Sequence, residues 1–106
     1  MNSMKITSTI ITRIAEATSD NASYYMEYSI TDGMLERVQT TIYKPTEGEQ
    51  RIAVGNVYYD RGSITANMPF SQKMSDYIKD VTDYIETILA DVSATQSVSD
   101  LQTNNQ

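Results

Sequence analysis

The side chains in this sequence that could do chemistry are fourteen Asp and Glu, eight Tyr and eight Lys and Arg, with no Cys and no His. Without His and Cys, the chain lacks the commonest general base at neutral pH, the commonest metal ligand and the thiol nucleophile. The densest group of carboxylates is Asp76, Asp80, Asp83, Glu86 and Asp91. Carboxylates so grouped can bind calcium or move protons. A calcium loop, however, needs a central glycine and ligands at fixed loop positions, and this segment has neither. Spacings of three and four instead carry Asp76, Asp80, Asp83 and Glu86 along one side of a helix. A solvated helix face accounts for them. Their functional alternative is an acidic strip that mimics nucleic-acid phosphates and blocks a nucleic-acid-binding protein.

Glu47-Gly48-Glu49 is a second acidic group and reads as a soluble turn. No glycine-rich phosphate loop and no nucleophile-elbow serine occurs in the sequence. An enzyme working through Tyr, Lys and carboxylates alone would need a concave pocket lined by them. The expectation is a non-catalytic chain, with no catalytic, cofactor-binding or metal-binding residue assigned and no cofactor.

These side chains must be positioned by one domain, because 106 residues are too few for two cores of ordinary size. With 40% apolar and 21% charged residues, 4 Gly and 2 Pro, the composition is that of a folded chain. Net charge is −6, and the helix-forming region from 71 to 92 contributes −3 through five carboxylates against Lys73 and Lys79. Such a surface argues against direct binding to nucleic acid, which needs a basic patch. No apolar run reaches the length of a signal-peptide core or a membrane span. The expected location is therefore the cytoplasm, or a virion if the chain is viral. Asn21-Ala22-Ser23 matches the glycosylation pattern but has no secretory signal to give it meaning.

From Lys5 to Phe70, β-rich runs alternate with turn signals, which predicts a five-stranded antiparallel meander with strands at about 5–18, 22–31, 34–43, 51–59 and 63–69. The recurrence of Ile6, Ile10 and Ile14 every four residues fits a helix too, but the density of Ile and Thr favours a strand. Asp32-Gly33 looks like a two-residue hairpin turn. A three-residue loop gives a cleaner hydrophobic pattern, placing Ile30 opposite Met34 and Met26 opposite Val38. The same rule at Asp60-Arg61-Gly62 pairs Tyr58 with Ile64, and at Ser19-Asp20-Asn21 it pairs Ile14 with Met26. Even-numbered residues from Ile6 to Phe70 would then share the buried face. Arg13, Glu27 and Arg37 would align on the other.

Ser71 is a plausible N-cap for the helix that follows, in which Met74, Ile78, Val81, Ile85, Ile88 and Val92 form one stripe flanked by Tyr77 and Tyr84. The stripe is expected to cover the even face, giving an α+β domain over residues 1–93. A coiled-coil dimer would use the same spacing. Residues 94–106 read as a polar C-terminal tail that would be disordered alone.

With the helix on the even face, the odd face has no cover. One predicted row across it reads Ile11, Ser29, Leu35, Tyr59 and Ser63, with Tyr25, Val57 and Tyr43 nearby. Ile11, Tyr25, Leu35, Tyr43, Val57 and Tyr59 are thus the candidate protein interface, because contiguous exposed apolar and aromatic groups mark binding sites. The edge of the first strand is a second docking route and the tail a third, whereas Pro69 partly blocks the other edge. The functional expectation is a subunit of a larger assembly that binds protein partners and can form homo-oligomers. Its concrete form is an accessory, auxiliary capsid-type protein of a virus or phage particle.

Overall fold

The computed structural model describes residues 3–45 and 51–104, with side chains to residue 94. Five strands, β1 (Ile10–Thr18), β2 (Ser23–Thr31), β3 (Met34–Tyr43), β4 (Ala53–Asp60) and β5 (Ser63–Asn67), pair in sequence order as an antiparallel meander. One helix, α1 (Met74–Asn104), follows and lies across β3, the middle strand. This is the α+β architecture expected from the sequence. The first strand is a strand and not a helix, although it begins at Ile10.

The expected register fails at each hairpin, for a local reason in each case. At Asp32-Gly33 the turn has two residues after all, with Thr31 opposite Met34 and both turn residues at positive φ (52° and 84°). A bulge on β3 then inserts Glu36, so that Tyr28 faces Val38 and Met26 faces Thr40. Arg61-Gly62 likewise forms a two-residue turn, with φ of 50° and 92°, and Tyr59 rather than Tyr58 faces Ile64. The β1–β2 loop has four residues, 19–22, closed by a bond from the Ser19 N–H to the Ala22 carbonyl. It places Ala15 opposite Met26 and Ile14 opposite Glu27. Two-residue turns with both centres left-handed match the twist of the strands they join, which is why they prevail over longer loops.

Each change reassigns faces. On β2 and β3 the even-numbered Tyr24, Met26, Val38 and Ile42 are buried as expected. On β1 and β4 the odd-numbered residues face the helix, so Ala15, Ala17 and Val57 join the core while Ile10 and Ile14 turn outward. Val54 and Met68 pack against the core as expected, whereas Ile52 and Phe70 are exposed. Arg13, Glu27 and Arg37 do not align; Arg37 instead pairs with Asp60.

The helix stripe is Tyr77, Val81, Ile85, Ile88 and Val92. Tyr77 takes the place expected for Ile78, which is half-buried with Met74. Ser71 does not cap it. The Ser71 carbonyl accepts the Met74 N–H in a preceding turn, and the Tyr77 N–H bonds the Lys73 carbonyl. The backbone helix also continues through the polar segment after Ser93, where no Gly or Pro occurs to end it.

Candidate interaction surfaces

The Asp80 cluster shows how the helix is seated. Its carboxylate accepts hydrogen bonds from Ser19 Oγ (2.7 Å), Asn21 Nδ2 (3.1 Å) and Tyr24 Oη (2.6 Å). The β1–β2 loop folds for this purpose: Ser19 Oγ accepts the Asn21 N–H, and the fully buried Ala22 anchors the turn beneath the helix. Tyr24 also meets Tyr84 edge to face, with ring centroids 5.2 Å apart. Burial works against ionisation of Asp80, but the bonds from Tyr24, Ser19 and Asn21 outweigh it and lower its pKa. Burial first, then the bond to Asp80, pushes the Tyr24 hydroxyl well above its ordinary pKa.

The acidic strip is therefore divided. Asp80 is half-buried and engaged with the sheet, while Asp76, Asp83 and Glu86 are exposed. Asp83 pairs with Lys79 at 3.2 Å. What remains for a nucleic-acid mimic is three carboxylates, one of them paired. Glu47-Gly48-Glu49 lies outside the described residues.

A second polar cluster secures the β3 bulge. The Glu36 carbonyl accepts the Arg61 N–H, and its carboxylate bonds Thr31 Oγ1 and Arg61 Nη2. These bonds, Thr31 first and Arg61 second, hold the Glu36 carboxyl below its usual pKa. A shallow depression beside it is lined by Leu35, Tyr59, Met34 and Arg61. A carboxylate and a tyrosine share its concave wall, as Glu27 and Tyr28 do in a smaller depression, and the Glu36 carboxylate here is already engaged.

The six residues expected to form one docking face are distributed over both sides of the sheet. Leu35 (9% exposed) and Val57 (1%) belong to the core, and Tyr59 packs against it. Ile11 is exposed, but it lies opposite Ile30 on the helix side. Only Tyr25 and Tyr43 lie on the open face, both half-buried, with Arg51 over the Tyr43 ring at 5.4 Å. The bulge at Glu36 turns Leu35 inward, and the reversed parity of β4 does the same for Val57 and Tyr59. The open face that results is largely polar, its central row reading Ile14, Glu27, Gln39, Tyr58 and Thr65 across the five strands.

The apolar surface lies at the edges instead. Among the described residues, five of the eleven exposed large apolar side chains, Met4, Ile6, Ile10, Ile11 and Ile14, fall on β1 and the segment before it. Ile64 on β5 and Phe70 beyond it expose the opposite margin. A single helix, about 10 Å across, spans roughly two of five strands, which is why the margins lack cover.

Among the described residues no helix is long and apolar enough to cross a membrane, and no three Asp or Glu side chains are grouped to hold a metal ion. Compared with known proteins, the chain matches no family model, no curated protein and no solved structure.

Proposed function

We propose that the chain is a non-catalytic interaction subunit of a larger assembly, docking through the margins of its sheet. The observation that carries this reading is the concentration of exposed apolar side chains on residues 4–14, along an edge strand that has no proline and no cover. Isolated exposed apolar residues are ordinary, but a run of them on an unpaired sheet edge invites strand addition. In its most concrete form the subunit is a small accessory protein of a virus or phage particle, of the auxiliary capsid type. Lack of His and Cys chemistry and one small domain with open edges suit such a role.

The test uses tagged chain isolated under gentle conditions from the cells that make it. Two double variants, Ile10→Glu with Ile14→Glu and Ile64→Glu with Phe70→Glu, change only exposed side chains and should melt as the parent does. The reading expects the parent to fractionate in a complex larger than itself and at least one variant to be released from it. Parent and variants all fractionating alike would contradict it.

A further inference from the structure

We infer that β1 and the residues before it pair with β1 of a second copy in antiparallel fashion about Ile10, joining two meanders into one continuous sheet. This deepens the interaction-subunit reading by naming the partner at one margin. The four-residue recurrence of Ile6, Ile10 and Ile14 has no use within the monomer: the three are 77%, 62% and 61% exposed. The backbone at that edge is oriented for pairing. Thr9 turns both its N–H and its carbonyl toward Asp32, on the β2–β3 side. Because backbone groups alternate along a strand, those of Ile10, Thr12 and Ile14 point to the open edge.

The spacing then selects both the occupant and the register. A set of positions spaced 6, 10, 14 is symmetric about 10, so it complements itself under a two-fold axis, as an isologous contact requires. With Ile10 opposite Ile10 of the second copy, Ile6 meets Ile14 at both ends, and every exposed Ile of the row meets another. Slipping by two residues on each side places Thr12 opposite Thr12; Ile10 then still meets Ile14, but Ile6 of each copy faces Thr18, so one Ile of the row is left unmatched. Charge permits the contact. Residues 4–16 carry Lys5, Arg13 and Glu16, a net +1 on a chain of net −6, and in this register Lys5 faces Ala15, Arg13 faces Thr7 and Glu16 faces Met4. Two acidic molecules therefore meet no like-charge repulsion between facing residues along this edge.

An edge about 40 Å long and about 10 Å thick presents roughly 400 Å² per copy. That is half the roughly 800 Å² per partner of a typical stable interface. The dimer should accordingly form at micromolar concentration and dissociate on dilution.

The absence of native cysteine makes a direct test simple. In purified Ile10→Cys chain the two introduced thiols would face each other about 5.5 Å apart between Cα atoms, within disulfide range. In Thr12→Cys chain they would be offset by about 13 Å along the strands. Mild oxidation should cross-link the first and spare the second. The unmodified chain should sediment increasingly as a dimer between about 5 and 500 μM. Ile6→Lys, which lies outside the β1–β2 ladder, should keep the parent's melting temperature in dilute solution and sediment as a monomer at every concentration. A parent chain that stays monomeric throughout, or Thr12→Cys cross-linking as fast as Ile10→Cys, would overturn the pairing. Either result leaves the broader interaction reading to its own test.

Discussion

Asp80 binds the helix to the sheet through three donors from β2 and the β1–β2 loop, so one carboxylate fixes the position of the whole upper layer. Replacing it with alanine leaves the Tyr24 hydroxyl without its acceptor, at an expected cost of about 1–3 kcal/mol, readable as a lowered urea midpoint. Thr40 presents the opposite case. It sits in the core at 1% exposure, and its Oγ1 has no partner. Thr40→Val should therefore raise stability by about 1 kcal/mol, since it removes an unsatisfied hydroxyl at nearly constant volume. Neither role was legible from residue type alone. Asp80 did carry a signal: at 100° per residue it lies about 100° from the centre of the buried stripe, on its flank and not opposite it. That angle separates it from Asp76 and Asp83, which lie farther round toward solvent.

At the scale of elements, strand order, strand count and the helix were readable from periodicity and turn residues, because both report directly on local backbone geometry. Faces were less readable, since one inserted residue inverts every side chain beyond it. Met26 and Val38 were placed on the correct face because the β3 bulge adds a residue where the shorter turn removes one. Leu35, lying between turn and bulge, was not. Two glycines define the geometry around β4 for different reasons. Gly62 adopts φ 92° with open space where a side chain would stand, so Gly62→Ala should cost about 1 kcal/mol through backbone strain alone. A D-alanine at the same position, made by chemical synthesis, should not. At Gly55 a Cβ would meet the Met68 Cβ at 2.5 Å and the Asn67 carbonyl at 2.6 Å. Gly55→Ala should cost about 1–3 kcal/mol by forcing β5 away. Thermal melts of the three proteins separate strain from collision.

For the whole molecule, pH should act on the same helix–sheet contact from both sides. The Asp80 carboxyl titrates lower in the folded chain than in the unfolded one. Its contribution is therefore complete above the unfolded value of about 4 and is lost as pH falls through the folded one. The Tyr24 hydroxyl titrates higher when folded, so its contribution is complete below about pH 10 and declines as pH rises beyond it. Melting temperature against pH should show a plateau between these limits, and Tyr24→Phe should flatten the alkaline side. The central claim, however, concerns the edge that the helix leaves bare, and backbone exchange at β1 tests it most directly. Hydrogen exchange resolved by amide should find Ile11, Arg13 and Ala15 protected at every concentration, because they bond β2. Ile10, Thr12 and Ile14 should exchange freely in dilute solution and become protected as the chain is concentrated. Fast exchange at those three amides in both dilute and concentrated chain, and in the chain's native assembly, would contradict the account.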